Sequence, residues 1–160
     1  MHSKWITVTG LVATAALVAA PSTGATAKSK KETKLSCNLE VFAQGAPNPS
    51  GIHFGFASCP KPFGKGLHHN KYTVTPPTAT SPGAISGTFK NYYNLGTARG
   101  TFAMTFKPTG PGAFAYTGTV TYTGGTAKFK NVRGTGTIQC ASTDGGAHKS
   151  CSVNSTLTGI

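Results

Sequence analysis

The chain has 160 residues, a formal net charge of +12 and only three carboxylates, Glu32, Glu40 and Asp144. So few carboxylates leave little basis for enzymes that depend on a pair of acidic side chains. A surface this basic attracts anions over a Debye length of ~8 Å at physiological salt, which makes polyanions candidate partners. The length suits a single domain.

Residues 1–27 have the pattern of a cleavable signal peptide. Lys4 gives a basic start, residues 5–20 carry no charge, and Ala25-Thr26-Ala27 supplies small residues before a cleavage site. The uncharged run is shorter than the roughly 20 apolar residues of a spanning helix, which disfavours an uncleaved anchor. We predict cleavage after Ala27 and secretion to the extracellular space. The mature chain, 28–160, then has a net charge of +11, because Lys4 is the only charged residue removed.

The four cysteines, residues 37, 59, 140 and 151, are expected to form disulfides in an oxidising compartment. Cys140 and Cys151 flank the turn sequence Thr-Asp-Gly-Gly at 143–146, so a hairpin would place them opposite each other. That leaves Cys37 to pair with Cys59. The alternative use of four cysteines is a zinc site, but the spacing contains no C-x2-C pair. We therefore predict two disulfides, no metal site and no cofactor.

Residues 28–34 (KSKKETK) contain no apolar side chain and are predicted to form a disordered basic arm. After them, apolar and aromatic residues recur with a period of two between Gly- and Pro-rich turns, which predicts β-strands and an all-β domain over 35–160. Eight strands are expected, at 35–43, 52–58, 67–75, 84–93, 97–107, 113–123, 135–142 and 150–159.

The connections between these strands are short, and short connections are typical of an antiparallel meander. Glycines inside several strands favour closure into an eight-stranded barrel, because glycine relieves crowding where strands bend. Closure also removes exposed sheet edges. The alternative is a two-sheet β-sandwich.

Residues 124–136 read GGTAKFKNVRGTG, between the strand sequences TVTY and TGTI. This segment resembles one found in the allene oxide cyclase-like and dirigent-like β-barrels, with Ala127 where that superfamily prefers glycine. The resemblance extends over about 84–142 and implies an eight-stranded antiparallel barrel in which 124–136 is a turn or short helical crossover. Plant members cyclise an epoxide or steer radical coupling inside the barrel, but their catalytic residues do not align here.

Alternating aromatic residues on the fifth and sixth strands suggest a ligand site. They would wall a cavity for a small apolar ligand, since an eight-stranded barrel can enclose one small molecule. The alternative is a core filled by these same side chains. The candidate ligand-binding residues are Phe102, Phe106, Phe114, Tyr116 and Tyr122.

Two further groups of polar residues suggest sites. Lys128, Lys130 and Arg133 follow Gly-Gly-Thr and form a candidate polyanion-binding cluster, although a barrel turn explains this segment better than a phosphate-binding loop does. Glu40 is a weak catalytic candidate: it would be a lone interior carboxylate if its face of the strand lines the barrel, and an ordinary surface residue otherwise.

These features predict an exported, disulfide-stabilised barrel that is a non-catalytic binding or interaction protein. Its partner would be an anionic surface polymer, a membrane or a small apolar ligand, with no specific nucleic-acid target. Two alternatives remain open: a barrel isomerase or cyclase with Glu40 in the lumen, and a cationic secreted protein that acts on membranes.

The signal peptide gives a direct test. Intact-mass measurement of the exported protein should give a chain that begins at Lys28, because the peptidase reads the small residues Ala25 and Ala27. A mass that corresponds to an N-terminus at Met1 would contradict this prediction.

Overall fold

The structure is a computed structural model that describes residues 31–44 and 50–160. The predicted signal peptide and residues 28–30 of the predicted arm lie outside the described residues. A 3₁₀ helix, Ala127–Phe129, separates the last two strands from the others. The strands are β1 Thr33–Ala43, β2 Ser50–Ser58, β3 Lys65–Thr75, β4 Gly83–Tyr93, β5 Gly96–Gly110, β6 Ala113–Gly125, β7 Arg133–Ser142 and β8 His148–Thr158.

Each strand pairs antiparallel with the next, and β8 pairs with β1, so the sheet closes into an eight-stranded barrel. This confirms the predicted barrel over the sandwich. The β1–β8 ladder begins at Thr33, opposite Leu157, so the last two residues of the predicted arm belong to β1. Their backbone groups pair with those of β8, and this pairing orders the two residues although they have no apolar side chain. No helix in the described part of the chain is long and apolar enough to cross a membrane.

Strand β2 presents its small residues to the lumen and its phenylalanines to the outside. Gly55 and Ala57 face inward, whereas Phe54 and Phe56 are exposed. Gly55 is required by close approach, because a Cβ atom there would lie 1.8 Å from the carbonyl oxygen of Glu40 on β1. The backbones of β1 and β2 lie too close together at this point for a residue with a Cβ atom.

One end of the barrel is filled by aromatic side chains, and we call it the plugged end. The Phe129 ring stacks on that of Phe63 with centroids 4.3 Å apart, and Tyr93 meets the Phe63 ring edge-on at 5.2 Å. Phe129 and Val132 are fully buried. Both come from the 124–136 segment, so this connection between β6 and β7 supplies the plug.

Both predicted disulfides are present. Cys140 and Cys151 lie directly opposite each other on β7 and β8, while Cys37 on β1 bonds to Cys59, just beyond the end of β2. In the chain-entropy model, a crosslink that closes a loop of ~15 residues contributes about 3 kcal/mol to stability. Their presence is consistent with an extracellular protein.

Ala127 offers a test of local strain. It is the one non-glycine residue with a positive φ, +47°, among the described residues. Its Cβ crowds the backbone in this conformation, at a cost of about 1–2 kcal/mol that outweighs the extra chain entropy of glycine, about 0.5–1 kcal/mol. The A127G variant should therefore raise the thermal midpoint by about 2–4 °C in calorimetry.

The matched control is A103G, at an exposed position in β5. It should lower the midpoint, because glycine weakens a strand interior. If both variants lower the midpoint equally, Ala127 is not strained.

Candidate functional site

The centre of the barrel is a packed core with little free volume. Phe102, Met104 and Tyr122 pack there around a void of about 40 Å³. A void of this size has space for water but not for a ligand, since ligand pockets measure about 300–1,000 Å³. Phe102 and Tyr122, two of the predicted ligand-binding residues, therefore belong to this core.

A larger cavity of about 530 Å³ lies at the end opposite the plug, and we call it the end cavity. The other three predicted residues, Phe106, Phe114 and Tyr116, form one wall, with ring centroids 5.4–6.4 Å apart. Gly83 on β4 makes room for this wall, because a Cβ atom there would meet the Phe106 ring at 2.2 Å. The facing wall consists of Tyr72, Val74, Pro76 and Ile85.

Lys149 lies at the inner end of this cavity and is only 5% exposed. Its Nζ donates to the carbonyl oxygen of Gly146, lies 3.3 Å from Nε2 of His53 and is 5.7 Å from the centre of the Tyr116 ring. Lys149 precedes Cys151 by two residues on β8, so both side chains face the lumen. The strand predicted from the sequence begins at residue 150 and therefore does not include Lys149.

The surroundings of Lys149 are mostly apolar. Burial lowers the pKa of its ammonium group to about 8, and the negative charge of Asp144 opposes this change only in part. The Asp144 carboxylate lines the same cavity but accepts hydrogen bonds from the Ser142 hydroxyl and from the backbone N–H of His148. Among the described residues, Lys149 forms no ion pair. An ammonium has three donors, so one remains after His53 and Gly146 are satisfied.

A chain of hydrogen bonds runs from Lys149 along the inner wall toward the plugged end. His53 Nδ1 donates to Asn70 Oδ1 at 3.0 Å, and Asn70 Nδ2 donates to His68 Nε2 at 2.9 Å. His68 Nδ1 then donates to Asn91 Oδ1 at 2.7 Å, and Asn91 Nδ2 donates to the Tyr93 hydroxyl at 3.2 Å. Each asparagine amide accepts one of these hydrogen bonds and donates another. Nδ1 of both histidines therefore donates and Nε2 accepts, so both imidazoles are neutral and protonated at Nδ1.

The environment of the two histidines keeps them uncharged. Burial, followed by the positive charge of Lys149, lowers the pKa of His53 to about 3. Burial also lowers the pKa of His68. The His53 ring stacks on Tyr72 at 4.1 Å, which fixes its orientation. Lys149 is consequently the one cationic group in contact with the end cavity among the described residues.

The other predicted site residues lie elsewhere. Glu40 is on the outer face of β1 with its side chain 47% exposed, where Oε2 accepts from His148 Nε2 at 2.7 Å and from Ser150 Oγ at 2.8 Å. The hypothesis that required Glu40 in the lumen is therefore corrected: Leu39 and Val41 take the inward positions. The predicted polyanion cluster is exposed at the plugged end, far along the barrel from the cavity; it consists of Lys128, Lys130 and Arg133.

No family model matches the chain, and no curated protein or solved structure matches it significantly. The resemblance of residues 124–136 to the allene oxide cyclase-like and dirigent-like barrels therefore stays a prediction.

The lumenal histidines predict a loss of stability in mild acid. An unfolded histidine binds a proton near pH 6.5, whereas burial lowers the pKa of both His53 and His68 in the folded state. The unfolded chain then binds up to two more protons, so the free energy of unfolding should fall as the pH drops below 6.5. Urea unfolding measured from pH 7 down to about pH 5 gives this slope directly.

Carboxylates contribute little to the slope between pH 7 and about pH 5, since the ordinary pKa values of Asp144 and Glu40 are 3.8 and 4.5. The H53Q variant keeps a side chain that can donate to Asn70, and its slope should decrease by about one proton. An unchanged slope in H53Q would contradict the assignment.

Proposed function

We propose that this protein is exported and binds a small amphipathic anion in the end cavity. The head group would pair with Lys149, and an apolar body would lie between the aromatic wall of Phe106, Phe114 and Tyr116 and the facing wall of Tyr72, Val74, Pro76 and Ile85. The observation that carries the proposal is a buried ammonium group, without an ion-pair partner among the described residues, at the inner end of an otherwise largely apolar cavity.

The energetics of Lys149 support this proposal. Burial of the Lys149 ammonium group is costly, and the negative charge of Asp144 offsets that cost only in part. A bound anion would remove it, since an opposite charge within ~4–6 Å favours the ionised lysine. The cavity volume of about 530 Å³ is within the range of about 300–1,000 Å³ found for small-molecule sites.

Binding is favoured over catalysis by the arrangement of the titratable groups. The isomerase alternative depended on Glu40, whose carboxylate is outside the barrel and held by His148 and Ser150. Both lumenal histidines are engaged in the hydrogen-bonded chain with their neutral forms favoured. Export is supported by the signal-peptide pattern of residues 1–27 and by the two disulfides.

A pair of fluorescent probes tests the proposal. 1-Anilinonaphthalene-8-sulfonate carries an anionic group, and N-phenyl-1-naphthylamine has the same aromatic body without it. The K149M variant should weaken sulfonate binding by about tenfold or more, the equivalent of one charge-assisted hydrogen bond, and leave the neutral probe unaffected. Because the pKa of Lys149 is about 8, the difference between wild type and K149M should shrink as the pH rises above 8.

Two further variants locate the site. F114A should weaken the binding of both probes equally, since it removes an aromatic ring from the wall of the cavity. K128M removes one positive charge at the plugged end and should leave the binding of both probes unchanged. Equal loss of sulfonate binding in K149M and K128M would mean that only net charge matters and would overturn the proposal. Circular dichroism confirms that each variant is folded.

A further inference from the structure

The outer surface of the barrel carries a continuous apolar patch across β1 to β4, which we call the ridge. Its side chains are 43–60% exposed. Register makes them neighbours: Phe42 lies opposite Phe54, Phe56 opposite Leu67, and Leu67 opposite Tyr92. Single exposed apolar residues are ordinary, but a contiguous patch marks an interaction site. The ridge consists of Phe42, Phe54, Phe56, Leu67 and Tyr92.

A basic groove of about 360 Å³ borders the ridge on β3, β4 and β5. Its cationic side chains are Lys71, Lys90 and Arg99, joined by His69, and among the described residues no carboxylate lines it. It also contains hydroxyl groups from Thr88, Thr101 and Thr123.

Ridge and groove are in direct contact. Lys90 Nζ lies 4.8 Å from the centre of the Tyr92 ring, and the His69 ring lies 5.1 Å from that of Phe54. Positive charge and exposed apolar area therefore form one surface on the side of the barrel. The groove shares no lining residue with the end cavity, and Lys128, Lys130 and Arg133 do not line it.

We propose that this surface docks the protein on a membrane that contains anionic phospholipid. The phosphate groups would lie in the basic groove, and the ridge would enter the boundary between head groups and acyl chains. Apolar side chains beside clustered cations are the combination that binds such interfaces. The proposal is independent of the ligand in the end cavity.

Charge decides between this occupant and the others. A second copy of the chain, placed symmetrically on this surface, would bring two basic grooves together, and like charges oppose that contact. A soluble polyanion would match the groove but leave the phenylalanines of the ridge in water. Only an anionic membrane offers phosphate and an apolar layer side by side.

Vesicle co-sedimentation tests the proposal with two matched triple variants. K71Q/K90Q/R99Q removes three charges from the groove, and K128Q/K130Q/R133Q removes three from the plugged end. Each cation near an anionic membrane changes affinity roughly fivefold, so the groove variant should bind phosphatidylglycerol vesicles about a hundredfold more weakly than wild type. The plugged-end variant should bind like wild type. Wild type should bind pure phosphatidylcholine vesicles only weakly.

The ridge is tested by F56S/L67S, which alters exposed side chains and leaves the core intact. It should also lose binding to phosphatidylglycerol vesicles. Equal losses of vesicle binding in the two charge variants would overturn the proposal. Vesicle binding that F56S/L67S leaves unchanged would also overturn it, because the protein would then be attracted by phosphate alone. A third outcome would also overturn it: wild type dimerises in sedimentation velocity, F56S/L67S abolishes the dimer, and wild type does not bind vesicles. The ridge would then be a contact between two copies of the chain. Sulfonate-probe binding should persist in all these variants, so failure here is distinguishable from failure of the proposed ligand site.

Discussion

Closure of the sheet through the β1–β8 ladder is the constraint on which the rest of the structure depends. The ladder runs from Thr33 to Phe42 on β1 and gives every strand two partners. Once the sheet is closed, each strand has one face toward a lumen of fixed width and one toward solvent. Side-chain volume in the lumen is then limited, and beside His53 the strand β2 contributes the small residues Gly55 and Ala57 to it and turns its phenylalanines outward.

The same closure explains how polar groups are accommodated inside. Two histidines and two asparagines enter the lumen from β2, β3 and β4, and they satisfy one another in a single chain that ends on the Tyr93 hydroxyl. A buried polar group without a partner costs about 1–3 kcal/mol, so a complete chain is far better tolerated than separate residues. At its other end the chain meets Lys149, where we propose that an anion binds.

The two ends of the barrel differ because they are finished by different connections. The segment between β6 and β7 folds back and inserts Phe129 and Val132, which close one end. At the other end, glycine-containing turns of the β5–β6 and β7–β8 hairpins leave a cavity beside Phe106 and Phe114. The proposed ligand site and the proposed membrane surface thus occupy different parts of one closed barrel.

The sequence by itself predicted the eight strands and both disulfide pairings, and it favoured a barrel over a sandwich. A period of two and the turn residues that punctuate it are local properties, and cysteines that flank a turn are brought together by the hairpin. It also identified Phe106, Phe114 and Tyr116 as cavity residues, although Phe102 and Tyr122 share their pattern and lie in the filled core. Alternation reveals that two faces differ but not which faces inward. Only the tertiary structure decided that Phe54 and Phe56 point outward, that Glu40 lies outside, and that Lys149 meets His53 across 96 positions of sequence. These outcomes depend on strand pairing between distant segments and on the volume of the closed lumen, which no local pattern records.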